Sequence, residues 1–301
     1  MKVLLTGTCG WLSRRLIDEL ADRGHELRLL DSCAPEEATV FMPGAAERQR
    51  SPLVTKWPFV RADITDVVAM NRAVEGMDAV IHLAAAVTGA PEHGVKTFHV
   101  NACGTYIILD ACRLAGVKRF LCASSINAFG TFYWRISGKP PVYTKMPLDE
   151  DFPVVPEDSY SLSKHVNELT CAAFHRAFGI TTAAFRFAGV WSESWYEDKI
   201  KKGLTPTTAW SDDLYQWVHR HDVCAGIRQA LECPTLPGFG AYTLSAADTH
   251  RPEPTMEILR KFRPDLAVAT HPPLQGREPL LSIRKARQTF GYAPQYRFTE
   301  G

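Results

Sequence analysis

The sequence predicts an α/β protein built on a doubly wound parallel sheet, followed by a smaller C-terminal α/β lobe. Three observations carry this expectation. A short apolar run, Lys2 to Thr6, feeds a glycine turn and then a helical stretch that stops at Gly24. Six such strand-then-helix units run along the chain, and βαβ alternation of this kind makes a parallel sheet. The run Ala79-Val80-Ile81-His82-Leu83-Ala84-Ala85-Ala86 is continuously apolar apart from His82, as in a parallel strand covered on both faces. With 301 residues the chain can bury a large core, and the change of pattern after Val190 divides it into units of residues 1–190 and 191–301. Some segments of the second unit are free to return to the first.

Taken in order, the first junction is Gly7-Thr8-Cys9-Gly10-Trp11-Leu12-Ser13. Glycines let a backbone approach a ligand closely, and free N–H groups at a helix start face an anion, so this turn reads as a pyrophosphate site formed by Gly7, Cys9, Gly10, Trp11 and Leu12. Ser13 stands where a third glycine normally permits close packing. The second strand, Glu26 to Leu30, ends at Asp31. An acid at that tip accepts hydrogen bonds from ribose hydroxyls and repels a 2′-phosphate, which favours NAD over NADP. Residues 32–56 carry Pro35, Pro43, Gly44 and Pro52 without periodicity and read as an irregular surface excursion. Phe59 to Ile64 is the third strand, with Asp63 and Ile64 placed to meet an adenine. Met77 to Ala86 is the fourth, and Leu83, Ala84 and Ala85 at its end are small enough for a dinucleotide to cross. His82 within it reads as a core histidine. A helix from Val95 to Ala115 leads to the fifth strand, Val117 to Ala123, which delivers Ser124 and Ser125 at the sheet edge where ligands bind.

A long loop follows, from Ser125 to Pro156, through Asn127 and Tyr133-Trp134-Arg135. Its position between two candidate segments suggests substrate contact. Pro156-Glu157-Asp158 then starts a helix that Gly179 stops, with Asp158 or Ser159 as N-cap. Tyr160 and Lys164 lie one turn apart on one face of that helix. A phenol titrates near pH 10, and an ammonium beside it favours the phenolate, so this pair is the candidate proton-transfer site. By itself the pair fits a solvated surface helix as well. Beyond the sixth strand, Ile180 to Phe187, Trp195, Tyr196, Trp210, Tyr215 and Trp217 interleave with lysines and His219-Arg220-His221. They either line a carbohydrate or anion site or pack a small lobe. The histidines lack the acid or cysteine spacing of a metal site, so no metal is expected. Asp222 to Cys233, Pro254 to Phe262 and Arg284 to Phe290 read as helices and Tyr242 to Ser245 as a strand.

A net charge of +1 with no basic run argues against a nucleic-acid partner. No apolar run reaches membrane-spanning length, and a strand beginning at Lys2 leaves no room for a signal peptide. The eight cysteines are scattered without a C-x-x-C pair and read as reduced thiols, which points to the cytoplasm.

Together these segments resemble the extended short-chain dehydrogenase/reductase superfamily, the branch of NAD-dependent epimerases and dehydratases, with its Rossmann-type fold. The matches run in order along nearly the whole chain: Thr6-Gly7-x-x-Gly10, His82-Leu83-Ala84-Ala85, Asn101-x-x-Gly104-Thr105, Ser124-Ser125-x-x-x-Phe129-Gly130, Tyr160-x-x-x-Lys164, Arg186-Phe187-x-Gly189-Val190, His219-x-x-Asp222-Val223 and Gly291-Tyr292-x-Pro294. The resemblance implies NAD as cofactor, Tyr160 as general acid/base, Lys164 as the residue that lowers its pKa and holds the nicotinamide ribose, and Ser125 as the partner that orients the substrate oxygen. It also implies a substrate space bounded by Thr88, Ser125, Ile126, Asn127, Tyr160, Phe187 and Trp191, and a homodimer. In the family's dehydratases an acid follows the catalytic Ser or Thr by one or two positions. Ile126 and Asn127 stand there, which argues against elimination. Only a short segment separates Val190 from His219, which favours a small carbohydrate-like substrate over a nucleotide sugar. The reading is therefore an NAD-dependent dehydrogenase acting on a sugar, sugar acid or polyol. The alternatives are a nucleotide-sugar epimerase with tightly bound NAD and a cofactor-binding protein without turnover.

Overall fold

The computed structural model describes residues 1–40, 49–130, 132 and 135–298. Pro43, Gly44, Tyr133 and Trp134, singled out above, lie outside the described residues. In chain order the elements are β1 (Lys2–Thr6), α1 (Trp11–Ala21), β2 (Glu26–Asp31), β3 (Thr39–Val40), β4 (Gln49–Arg50), β5 (Phe59–Arg61), α2 (Val67–Val74), β6 (Ala79–His82), α3 (Gly94–Phe98), α4 (Gly104–Ala115), β7 (Arg119–Ala123), α5 (Ser159–Phe178), β8 (Thr181–Phe187), β9 (Val190–Trp191), α6 (Glu193–Lys202), β10 (Val218–His219), α7 (Arg220–Glu232), β11 (Phe239–Leu244), α8 (Thr255–Phe262), α9 (Pro264–Ala269) and α10 (Arg284–Phe290). Seven strands form one parallel sheet in the order β11-β8-β7-β6-β1-β2-β5. Two of the short pairs stand apart, β9 with β10 and β3 with β4.

The continuous apolar strands are explained by two separate cores. Val3 and Leu5 of β1 point into one with Leu16 and Leu20 of α1, Ile227 and Leu231 of α7 and Phe290 of α10. Leu4, one position between, points into the other with Met70 of α2, Ile108 and Cys112 of α4 and Phe174 of α5. Alternate side chains thus leave water on opposite faces, and each fully buried leucine or isoleucine contributes about 1.5–3 kcal/mol. The Rossmann-type sheet of the sequence reading is present.

Several boundaries differ from the pattern reading, each for a local reason. β6 ends at His82 because the next amides leave the ladder: Ala84 N donates to Thr6 Oγ1 at 3.2 Å and Ala86 N to Asn101 Oδ1 at 2.8 Å. β5 ends at Arg61. The helix expected from Val95 to Ala115 begins at Gly94 and carries a π-helical turn, His99–Cys103, between α3 and α4. α2, α6 and α9 lie outside the pattern reading; α2 is capped by Asp66, whose carboxylate accepts from Ala69 N at 3.0 Å. The described residues of the 125–156 loop are anchored, since Phe129, Phe132, Tyr143, Met146, Leu148 and Phe152 are buried in the first core. Beyond residue 190, β11 joins the main sheet beside β8 and α7 packs on α1. What remains of the lobe is β9 with β10, α6, α8, α9 and the tail through Phe298.

Candidate active site

The glycine turn is built for close approach. Gly7 has φ +75°, and a Cβ on it would lie 2.7 Å from Ala84 N, so only glycine lets β1 pass that near the end of β6. Ser13, in the place of the third glycine, is buried and donates from Oγ to the Gly7 carbonyl at 2.7 Å. The serine therefore closes the turn. Gly10 caps α1 without a side-chain hydrogen bond, and the first turn holds no acid. Its N–H groups are left for an external anion, as a pyrophosphate requires. Asp31 reaches the same turn: Oδ2 accepts from Cys9 N at 2.9 Å and Oδ1 from Cys33 N at 3.0 Å. Leu83, Ala84 and Ala85 lie half-buried across from it. Asp63 is exposed and accepts from the N–H and hydroxyl of Thr65, while Ile64 is buried beneath Gly104.

Asp158 caps α5, accepting from Ser161 N at 2.9 Å, and Gly179 ends the helix in a left-handed conformation. Both Tyr160 and Lys164 are buried rather than solvated. The Tyr160 side chain is hydrogen-bonded to Ser125. Lys164 Nζ lies 5.4 Å from the Tyr160 ring centroid and donates to the Ala123 carbonyl at 2.9 Å. The three side chains expected to share the chemistry are thus together. Without the cofactor's positive ring the phenol stands above its ordinary value. Burial pushes Tyr160 up to about 12, and the Ser125 hydrogen bond only partly opposes it. Burial likewise lowers Lys164. The Asp158 carboxylate nearby adds to the rise of the phenol, and the Lys164 ammonium is directed to the Ala123 carbonyl.

A buried polar chain ties the glycine turn to this helix. Thr6 Oγ1 is 2.8 Å from His82 Nδ1, His82 Nε2 is 3.2 Å from Thr105 Oγ1, and Thr105 Oγ1 donates to the Asn101 carbonyl at 2.7 Å. Thr105 spends its one proton on Asn101, so His82 donates from Nε2 and accepts at Nδ1 from Thr6. Burial, with Lys164 nearby, pushes His82 down to about 3 and keeps it neutral. Asn101 sits in the π-helical turn, a feature common at functional sites. Its amide accepts from Ala86 N and donates to Ser163 Oγ at 3.0 Å, and Ser163 Oγ donates to the Tyr160 carbonyl at 2.7 Å. Beneath Ser125, the hydroxyl of Ser124 donates to Glu168 at 2.6 Å, and Arg186 grips Glu168 from Nε and Nη2 at 2.9 and 2.8 Å. Burial would raise Glu168, but Arg186, His165 and Ser124 outweigh it and hold it at about 2. Sequence reasoning missed the supporting roles of Asn101, Ser163, Glu168 and Arg186. Charged residues inside apolar periodic runs, as at 168 and 186, are the signal that was available.

Residues assigned to the substrate space divide. Thr88 and Phe187 are half-buried near the ends of β6 and β8, with Phe187 stacked on Phe185 at 6.1 Å. Asn127 is buried, and Ile126 belongs to the first core. Trp191 packs against Trp195, Trp217, His250 and Phe298 with centroids 5.1–5.9 Å apart, which takes the packing side of the open question about the aromatic residues. Among the described residues no three metal-ligating side chains come together, and no helix is long and apolar enough to cross a membrane.

The model of the NAD dependent epimerase/dehydratase family matches residues 3–242. The chain belongs to this family. As a member it takes NAD, and the residues above fit that cofactor: an uncapped helix start, a backbone approach only glycine allows, and a carboxylate beside the turn. Among its relatives, UDP-glucose 4-epimerase of Corynebacterium glutamicum is 22% identical, covering 98% of this chain and 92% of its own. Uronate dehydrogenase of Pseudomonas putida is 27% identical over 73% of this chain and 70% of its own. A short-chain dehydrogenase/reductase superfamily protein of Agrobacterium tumefaciens, solved with bound NAD, superposes with a TM-score of 0.69 at 22% identity, covering 99% and 94% of the two chains. Epimerases and a dehydrogenase are both among the relatives.

Proposed function

We propose that this family member is a dehydrogenase that takes a hydride from a hydroxyl-bearing carbon of a small carbohydrate-like substrate, a sugar, sugar acid or polyol. The observation that carries the reading is the set of half-buried Ser125 with buried Tyr160 and Lys164, and Ile126 and Asn127 in place of an acid. Bound NAD would supply the hydride acceptor. Gly7, Cys9, Gly10, Trp11 and Leu12 would hold its pyrophosphate, Asp31 its ribose, and Asp63, Ile64, Leu83, Ala84 and Ala85 the adenine side. Tyr160 removes the hydroxyl proton, Ser125 orients that oxygen, and Lys164 holds the nicotinamide ribose. A single acid/base suffices, because no second proton moves at carbon. Thr88, Asn127 and Phe187 border the space that remains.

A panel of free sugars, sugar acids and polyols should give net NADH formation. No turnover across that panel, together with conversion of a nucleotide sugar and no net NADH, sinks the reading. That outcome is the second reading, an epimerase with tightly bound NAD, which relatives such as the Corynebacterium enzyme favour.

The assembly we propose is a homodimer. Leu162 and Leu169 of α5 lie on one stripe and are exposed, and Tyr106 and Leu114 of α4 and Phe178 of α5 are also more than half exposed. Pairing these helices across a two-fold axis would cover them. Light scattering at micromolar concentration is expected to give twice the chain mass; a monomer mass contradicts it. All eight cysteines are free thiols, which supports a reducing, cytoplasmic compartment.

A further inference from the structure

On the lobe side of the glycine turn, the first residues of three helices touch one another: Trp11 of α1, Glu193 of α6 and Arg220 of α7. Arg220 joins them. Its Nη1 donates to the Trp11 carbonyl at 3.1 Å, and its guanidinium lies 5.4 Å from the Trp11 ring centroid. Its Nη2 donates to Glu193 Oε2 and Oε1 at 2.6 and 2.7 Å, and its Nε to Oε1 at 3.1 Å. His221 Nε2 meets the same carboxylate at 2.7 Å. Glu193 therefore sits at the positive ends of both α6 and α7.

None of the residues of α6 is fully buried. Trp195 stacks on Trp191 at 5.2 Å and Tyr196 on Trp217 at 5.5 Å, while Lys201 and Lys202 face water. With only these two half-buried aromatic side chains packed against the lobe cluster, the helix draws little from the core, and the polar contacts at its start add to what fixes its place.

We propose that Arg220 is a positioning residue that latches the lobe helix α6 to the dinucleotide turn, so that NAD binding and closure of α6 favour each other. This rests on the family's cofactor and not on the substrate proposed above. The coupling follows from shared parts. The first-turn N–H groups of α1 hold the pyrophosphate, and Arg220 holds the same turn from its Trp11 carbonyl. Ordering the turn by either route lowers the cost of the other, and the effect is reciprocal.

The test is tryptic cleavage after Lys199, Lys201 and Lys202, with and without NAD, beside the NAD dissociation constant. In the unmodified protein NAD should slow cleavage in α6 severalfold or more, on the order expected when a local opening is suppressed. Arg220→Gln and Glu193→Gln should each bind NAD about tenfold more weakly and lose most of that protection, and the double variant should be no worse than the weaker single. Arg220→Lys keeps the charge without the fork and should fall between. If Arg220→Gln does not fold, Glu193→Gln carries the same test, since that carboxylate is one-third exposed. Cleavage indifferent to NAD in the unmodified protein, or full protection retained in the variants, overturns the proposal.

Discussion

Tyr160→Phe should lower the rate of hydride transfer by about 10²-fold or more while leaving NAD affinity nearly unchanged. The reason is local. The ring packs in a buried position that phenylalanine fills equally well, so the substitution removes the proton acceptor and one hydrogen bond from Ser125. The pH profile separates this role from a structural one. Burial holds the free phenol at about 12, so it is protonated at neutral pH and can act as a base only when positive charge arrives beside it. Oxidation should therefore quicken as pH rises, with an apparent pKa below about 12 once NAD is bound, and Tyr160→Phe should flatten the profile. An unchanged rate in the variant, or the same pH dependence with and without the hydroxyl, would falsify the assignment.

Arg186→Met should cost about 3–5 kcal/mol of stability, because it strands the Glu168 carboxylate in the core without its partner. The guanidinium also lies 4.4 Å from the Phe129 ring centroid, so packing beneath the serine segment loosens as well. The double variant Arg186→Met with Glu168→Gln removes the stranded charge and should recover a large part of the loss. Denaturant midpoints of the three proteins measure both effects; a double variant no better than Arg186→Met means that lost packing, not the charge, sets the cost. The pair has a pH signature too. Glu168 is held at about 2 in the folded chain against an ordinary 4.5. Its contribution is present above about 4.5 and is lost as pH falls toward 2, so the stability gap between the unmodified protein and Arg186→Met should narrow in acid.

By itself the sequence determined the doubly wound parallel class of the main sheet, the glycine turn, Asp31 at the tip of β2, and the placing of Tyr160 and Lys164 on one helix face. These are local matters. Apolar periodicity, caps and turn residues act over a few neighbours, so a strand feeding Gly7 or a helix starting at Asp158 can be read without knowing what lies across from it. Boundaries failed where a side chain from elsewhere replaced the backbone ladder, as Asn101 does for Ala86 at the end of β6. The tertiary structure alone decided what surrounds the phenol. Burial holds the free phenol above its ordinary value, and that could not be read from spacing because desolvation depends on atoms brought from many segments at once. It also decided that α7 and β11 belong with the main sheet, and that Trp191 sits within an aromatic cluster. Trp11, Glu193 and Arg220 are far apart in the chain, and only the packing of α7 on α1 brings them into contact. Tyr160 could be found by its spacing to Lys164; what its proton costs to remove is a property of the folded interior.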